Sequence, residues 1–203
     1  MTDRVKLNKV SLRQQKQSFA MYRRFLPALE ARKQQFLMQL AIVRKKIVEQ
    51  EEQLKDLLHN INQWAPLYRD LGAVLRPHLA INELKVSLRN IAGLKVPDFH
   101  GIEFENPAYS YISTPATFEE VLRKSREAIE CRSALKILGE QEKVLFEGFR
   151  KTSQRINLYE QRLIPQCKES IRKIVVYLQD QQAAAVGVAK VAKRMTEAAM
   201  LDS

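Results

Sequence analysis

The sequence contains few residues that interrupt regular structure. Its 203 residues include only six glycines and seven prolines, so long stretches run without the residues that end helices or form tight turns. None of the glycines stands in a GxxxxGK or GxGxxG pattern, which excludes the two common glycine-rich phosphate-binding loops.

Long apolar runs are absent as well. The longest is far below the roughly 18 to 20 residues that a helix needs to span a bilayer. The N-terminus, MTDRVKLNKV, has no apolar segment of the kind found in signal peptides. We therefore expect a soluble, cytoplasmic chain without direct membrane insertion.

The two cysteines and three histidines do not form a recognisable site. If Cys131 and Cys167 share one helix, about 54 Å separates them at 1.5 Å per residue, far beyond the reach of a disulfide. Cys167 lies on an apolar stripe, and we interpret it as a small buried hydrophobe. His59, His78 and His100 are isolated in spacing from the cysteines, so we expect no metal site, no cofactor and no catalytic activity.

Positive charge is concentrated at the start of the chain. The net charge is +11, and residues 1–46 hold twelve Lys and Arg against Asp3 and Glu30, a balance of +10. Residues 65–115 hold five charges of each sign. This distribution predicts that a polar or acidic partner meets the first helix.

Apolar residues near the N-terminus recur at alternating steps of three and four residues. This spacing predicts a helix of about 53 residues with a narrow coiled-coil seam. Thirteen of the sixteen seam positions are apolar: Leu12, Gln15, Phe19, Tyr22, Leu26, Leu29, Lys33, Phe36, Leu40, Val43, Ile47, Gln50, Leu54, Leu57, Ile61 and Trp64.

The C-terminal half carries a second seam with one irregularity. Between Tyr159 and Ile171 the steps are four, four and four, so the heptad gains one or more residues and the supercoil must unwind locally. Pro165 lies at this point, and we interpret it as the site of a bend. Sixteen of nineteen positions are apolar: Leu135, Leu138, Glu142, Leu145, Phe149, Thr152, Ile156, Tyr159, Leu163, Cys167, Ile171, Ile174, Leu178, Gln181, Ala185, Val188, Ala192, Met195 and Ala199.

The middle of the chain changes to a period of two. Leu84, Val86 and Leu88 alternate with polar residues, and so do two later runs, around Leu94 and Ile102. Pro97-Asp98 and His100-Gly101 lie between these later runs and have the composition of turns. We therefore predict a small β-hairpin.

The predicted fold is mainly α, a long antiparallel two-helix coiled coil (helical hairpin) with a small β-hairpin in the middle of the chain. We divide it into an N-terminal helix (1–68), a middle segment (69–115) and a C-terminal helix (116–203) within one continuous, elongated unit. Because the chain returns on itself, each helix can bury its seam against the other.

Two segments carry a resemblance to a known family. SQRINLYEQRLIPQCKESIRKIVVYL (153–178) is similar to the C-terminal signature of the D subunit of V-type and A-type rotary ATPases, through Arg155, Ile156, Asn157, Leu158, Ile164, Pro165, Ile171, Lys173 and Ile174. SLRNIAGLKVPDF (87–99) resembles the family's middle segment at Asn90, Ile91, Gly93, Leu94, Val96 and Pro97. The N-terminal helix resembles the family more loosely.

The resemblance implies a non-catalytic rotor subunit of the central stalk, which transmits torque between the ATPase ring and the membrane ion-translocating ring. The implied partners are the A and B subunits of the ring, the small F subunit of the stalk and a membrane-side coupling protein of the C or d type. As part of that complex, the chain would be cytoplasmic and peripheral to the membrane. The residues expected at partner interfaces are Arg13, Lys16, Arg23, Arg24, Ile91, Val96, Pro97, Arg155, Asn157, Pro165, Lys190 and Lys193.

Two other functions remain open. A self-associating coiled-coil scaffold or adaptor would explain the heptads, though not the β segment or the order of the motifs. A nucleic-acid binder would explain the charge, but the basic segment offers no aromatic stacking surface, because its aromatic residues occupy the seam. We therefore expect no specific nucleic-acid binding.

Overall fold

The computed structural model of the chain describes residues 6–64, 72–108, 115 and 117–201, apart from the side chains of residues 64, 73 and 197–201. Long helices flank a β-hairpin, which confirms the predicted fold class. The short helix α2 was not predicted, because it is too brief to show a helical period. The elements are α1 (Lys9–Trp64), α2 (Gly72–His78), β1 (Ile81–Ile91), β2 (Leu94–Phe104), α3 (Phe118–Leu158), a π-helical turn (Tyr159–Leu163) and α4 (Ile164–Leu201).

The chain forms two compact units. Unit 1 comprises residues 1–31 and 152–203, and unit 2 comprises residues 32–151. The boundary predicted between residues 68 and 69 lies outside the described residues, as does residue 116 at the second predicted boundary. The three-part division therefore stays a prediction.

Helix α1 begins at a cap and follows the predicted seam. The Oδ1 atom of Asn8 accepts a hydrogen bond of 2.7 Å from the backbone N–H of Ser11, the usual role of Asn at this position. All fifteen seam residues with described side chains, from Leu12 to Ile61, are buried or half-buried. Outside the seam, only four described side chains of α1 share that status, those of Ser11, Ser18, Arg32 and Gln39.

The second seam is confirmed as far as Leu178. Its thirteen positions from Leu135 to Leu178 are all buried or half-buried, whereas the side chains of residues 179–196 are all exposed. The later seam positions, from Gln181 to Met195, are thus not buried as predicted, and the side chain of Ala199 lies outside the described residues.

The antiparallel pairing in unit 1 explains where this burial ends. The Nζ atom of Lys168 lies 5.9 Å from the centre of the Phe19 ring, and the rings of Tyr22 and Tyr159 are 5.1 Å apart. Positions on the two helices therefore run in opposite directions. Because α1 begins at Lys9, ten residues before Phe19, the pairing ends about ten residues after Lys168.

The helices of unit 2 are antiparallel as well. The Nε atom of Arg44 donates a hydrogen bond of 2.7 Å to Glu142 Oε1. Six residues further along α1, the carbonyl oxygen of Gln50 accepts a bond from the Cys131 thiol. Here too, residue numbers rise on one helix as they fall on the other.

A two-residue turn joins β1 to β2. Ala92 and Gly93 both have positive φ, 49° and 82°, as the central residues of a type I′ turn require. The Oδ1 atom of Asn90 accepts a hydrogen bond of 2.9 Å from the Gly93 N–H. Positive φ is costly for Ala92, which carries a Cβ atom.

The predicted turn between the last two apolar runs is wrong. Pro97-Asp98 and His100-Gly101 both lie inside β2. There the register shifts between Lys85 and Val86, so His100 is the extra residue of a β-bulge. The bulge accommodates these residues within one strand, and the φ of 135° at Gly101 is one that glycine adopts readily.

The core of unit 2 joins the hairpin to both helices. A fully buried Phe36 lies at its centre, and burying such a side chain contributes about 2 to 3 kcal/mol. Strand β2 faces this core, whereas β1 is exposed along nearly its whole length. The buried residues of the cluster are Phe36, Leu40, Val43, Val96 and Leu145.

The irregular seam spacing corresponds to a π-helical turn. At Tyr159–Leu163 the helix widens, and the backbone N–H of Ile164 bonds to the carbonyl oxygen of Tyr159, five residues earlier. A π turn accommodates one extra residue, which confirms the insertion inferred from the spacing. Pro165 follows directly and has no N–H to contribute to the helix ladder.

Both cysteines are free and buried. Burial raises the pKa of each thiol above its ordinary value, and nearby Glu127 and Glu130 raise that of Cys131 further. A raised pKa keeps a thiol protonated and unreactive, in agreement with the interpretation of Cys167 as a buried hydrophobe.

Within the described ranges, no helix combines the length and apolar character that crossing a bilayer requires.

Gly148 provides a test of the contact between the hairpin and α3. A Cβ atom there would overlap the Cδ1 atom of Leu94 and lie 3.3 Å from Phe36 Cζ. We expect Gly148→Ala to lower the free energy of unfolding by about 1 to 3 kcal/mol, since overpacking forces the core apart.

Gly139→Ala is the matched control, because nothing lies within 4 Å of its added methyl group on the same helix. It should stabilise the chain by up to about 1 kcal/mol through helix propensity alone. Urea unfolding of both variants gives the comparison, and equal effects would contradict the close packing at Gly148.

Candidate partner-binding surfaces

The basic residues predicted near the N-terminus lie on the outside of α1. The side chains of Arg13, Lys16, Arg23 and Arg24 are all exposed, because the seam turns the apolar side of the helix inward. Exposed cations of this kind form weak, salt-screened contacts with a partner.

Not every basic residue of α1 is available in this way. Arg44 forms a salt bridge with Glu142 in its own chain, and the Arg32 guanidinium lies 5.7 Å from the centre of the Phe36 ring. Because Arg32 is half-buried and Arg44 is paired within the chain, these two cations extend the basic surface less than the sequence suggested.

The end of α4 presents cations and apolar side chains together. Lys190 and Lys193, two of the residues expected at partner interfaces, are exposed. In the same part of α4, the side chains of Val188 and Met195 are about 70% exposed. This part of the helix also contains small residues, among them Gly187. A helix that exposes so much apolar surface is typical of a segment that is covered in an assembly.

The signature around the π turn is exposed on one side and packed on the other. Arg155, Asn157 and Pro165 are exposed, whereas Ile156 is only 5% exposed. Farther along α4, the Lys173 ammonium 2.6 Å from Glu169 holds the pKa of that carboxyl below its ordinary value. The motif thus combines residues that maintain the coil with residues that face outward.

The three hairpin residues among those expected at partner interfaces are buried or half-buried. Val96 is 1% exposed and belongs to the core of unit 2, and Ile91 packs against the same core. Pro97 is half-buried, and its carbonyl oxygen accepts a hydrogen bond from the Gln141 side chain. Their direct contacts are with their own chain.

Sequence reasoning missed the outward face of the hairpin. Leu84, Val86 and Leu88 are 40%, 40% and 67% exposed. Residues paired across the strands share a face, so Leu88 and Pro97 lie together on it. The alternation revealed the strand, but choosing the buried face requires the register that the bulge sets.

Arg126 was also missed, because no sequence pattern marks it. Its guanidinium donates hydrogen bonds to the backbone carbonyls of His78 and Glu105 and to the side chain of Asn106. A lone arginine on a helix looks like an ordinary solvated residue, and only tertiary structure reveals its acceptors.

The twelve predicted residues therefore fall into two groups rather than one site. Nine belong to unit 1 and three, Ile91, Val96 and Pro97, belong to unit 2. Distributed surfaces of this kind suit contacts with several protein partners.

Comparison with known proteins places nearly the whole chain in one family. Residues 11–194 match the model of the family described as the D subunit of ATP synthase. The match includes the first seam, the second seam as far as Ala192 and the β-hairpin, and so nearly the whole fold rather than a single motif.

Individual relatives are similar over nearly their full length. The V-type ATP synthase D subunit of Borreliella burgdorferi is 35% identical over 190 residues, covering 94% of each chain. That of Chlamydia trachomatis serovar L2 is 30% identical, covering 96% of this chain and 97% of the relative. That of Chlamydia pneumoniae is 29% identical, with coverage of 97% and 95%.

Pro165 and Pro27 allow the effect of the π turn to be measured. Both are exposed prolines inside helices, where proline costs about 3 kcal/mol relative to alanine. Because the π turn already distorts the ladder before Pro165, we expect Pro165→Ala to stabilise the chain less than Pro27→Ala does, and not to destabilise it. Urea unfolding monitored by circular dichroism measures both. A midpoint for Pro165→Ala below that of the parent, or above that of Pro27→Ala, would contradict this expectation.

Proposed function

Since this chain belongs to the family of ATP synthase D subunits, we propose that it is the central-stalk, or rotor-axle, subunit of a V-type or A-type rotary ATPase. In this role it transmits torque between the catalytic ring and the membrane ion-translocating ring. The chain itself does not hydrolyse ATP.

The end of α4 is the observation that carries this proposal. For the eighteen residues 179–196 the helix buries no side chain in its own chain, although its apolar period continues there. The sequence QQAAAVGVAKVAKRM has a run of alanines and one glycine, so the helix is narrow. A narrow helix with unburied apolar residues suits insertion into the central opening of a ring of partner subunits.

The paired seams supply the stiffness that an axle needs. In unit 1, Ile156, Cys167 and Ile174 are less than 10% exposed, and close-packed interiors of this kind resist deformation. The exposed cations outside the seam make contacts weak enough to be exchanged as the axle turns. Strong cohesion inside and weak contact outside is the combination that rotation demands.

We propose a partner for each of the exposed surfaces described above. The end of α4 and the basic face of α1 meet the A and B subunits of the ring. The coil also binds the small F subunit of the stalk and a membrane-side coupling protein of the C or d type, which makes the chain a cytoplasmic, peripheral component of the complex. Ile91 and Val96 act indirectly, by holding the hairpin that carries Pro97.

Co-purification distinguishes this function from that of a self-associating scaffold. A tagged copy expressed in its native cell should recover ATPase ring subunits, and the purified chain should be monomeric by light scattering and show no ATP hydrolysis. A stable homo-oligomer that recovers no ring subunit would support the scaffold instead.

Charge reversal tests the basic surfaces. The double variants Arg13→Glu/Lys16→Glu and Lys190→Glu/Lys193→Glu should weaken binding to the purified ring about tenfold, with the larger effect on the association rate. Lys136→Glu/Lys143→Glu, at exposed positions of α3, is the matched control. Surface plasmon resonance gives the rates, and equal losses in control and test variants would show that only net charge matters.

The same basic surface should bind nucleic acid only non-specifically. Between 50 and 200 mM salt, binding to duplex DNA should fall by about three orders of magnitude, as expected when phosphate contacts dominate. Fluorescence anisotropy with two unrelated duplexes measures this. A sequence-dependent complex that persists at 200 mM salt would overturn the assignment.

A further inference from the structure

The Arg126 side chain connects α3 to the base of the β-hairpin, where the chain enters β1 and leaves β2. Its Nε and Nη2 atoms lie 3.0 and 2.8 Å from the carbonyl oxygen of His78, just before β1. Nη2 also lies 2.9 Å from the carbonyl oxygen of Glu105 and 2.6 Å from Asn106 Oδ1, just after β2. One guanidinium thus fixes the points where the chain enters and leaves the hairpin.

An aromatic contact completes the attachment. The Arg126 guanidinium carbon lies 5.0 Å from the centre of the Phe104 ring, within the range of a cation–π interaction. The backbone N–H of Glu105 bonds to the carbonyl oxygen of Ala80 at 3.0 Å, which closes the base of the hairpin beside the guanidinium. Arg126 therefore contacts the base of the hairpin in two ways, through the face of the Phe104 ring and through the backbone carbonyl oxygens of His78 and Glu105.

The rest of the hairpin is attached by different means. At mid-height the Gln141 amide bonds to Pro97 and Asp98. At the tip, Leu94 packs beside Gly148 and Phe36 in the core. The tip is thus held mainly by apolar packing, together with a hydrogen bond from Arg89 to Gln39. At the base, the polar contacts of Arg126 act beside an edge contact between the buried rings of His78 and Phe118.

Only arginine can make this set of contacts. The planar guanidinium presents several N–H donors in a fixed geometry and stacks on aromatic rings, whereas a lysine ammonium is a compact, strongly hydrated charge. Arg123, three residues earlier on the same helix, is exposed and lies 3.9 Å from Glu127 across one helical turn. Arg123 is therefore a suitable control for Arg126, because it carries the same charge and lies on the same helix.

We propose that Arg126 is a positioning residue that sets the orientation of the β-hairpin on the coil, and with it the direction in which the apolar face of Leu84, Val86 and Leu88 is presented to the complex. This inference rests on the proposed function for its consequence in coupling, but the attachment itself is a property of the chain alone. Loss of the guanidinium should release the base of the hairpin while leaving the tip in place.

Hydrogen exchange of the isolated full chain tests the attachment. In Arg126→Lys, the hydrogen-bonded backbone amides at the base, within Ile81 to Leu84 and Glu103 to Glu105, should exchange at least fivefold faster than in the parent. Amides at the tip, from Ile91 to Val96, should be unchanged, and Arg123→Lys should match the parent throughout. Exchange at the base within twofold of the parent would overturn the proposal.

The assembled complex tests the consequence. With Arg126→Lys the complex should assemble normally and the melting temperature of the chain should change little, but ions transported per ATP hydrolysed should fall at least twofold. Arg123→Lys should leave this ratio unchanged. Faster exchange at the base combined with an unchanged ratio would refute the positioning role.

The two experiments fail independently. If the parent chain does not assemble with an ATPase ring, the proposed function is wrong, yet hydrogen exchange still decides whether Arg126 fixes the hairpin. If the parent assembles and the Arg126→Lys chain exchanges like it, the inference about Arg126 is wrong while the proposed function stands.

Discussion

Burial of one narrow apolar seam against another is the constraint on which this structure depends. Steps of three and four residues keep the seam on one side of a helix over many turns, and in both units the seams meet antiparallel. Most of the surface of α1 outside the seam is free to carry charge and partner contacts. The +11 charge and the interior packing therefore coexist without conflict.

The hairpin, like the short helix α2, is not explained by the seam. It contributes Val96 and Leu94 to the core of unit 2 and in return is held by α1 and α3. An isolated two-stranded hairpin is at best marginally stable in water, so these contacts are necessary for its existence. Its outer face stays exposed because the sheet has only two strands and the chain covers only one of its sides.

The periodic part of the molecule could be predicted from the sequence, and the tertiary part could not. The seam from Leu12 to Ile61 and the insertion before Pro165 follow from spacing alone, because local periodicity determines both. The bulge at His100 and the turn at Ala92 do not, since Pro97-Asp98 has the composition of a turn but lies in a strand that the core holds extended. Of the predicted interface residues, Arg13 is exposed and Val96 is buried, a difference that depends on which strand face meets the coil.

The π turn has a consequence for how the length of this helix can change. Each residue added to an α-helix rotates everything after it by about 100°, so an insertion would normally turn Ile171 and Ile174 away from the seam. A π turn absorbs one residue within a wider loop of backbone and restores the phase beyond it. Tyr159–Leu163 is therefore a place where the gene could lose a single codon while the apolar register downstream stays intact.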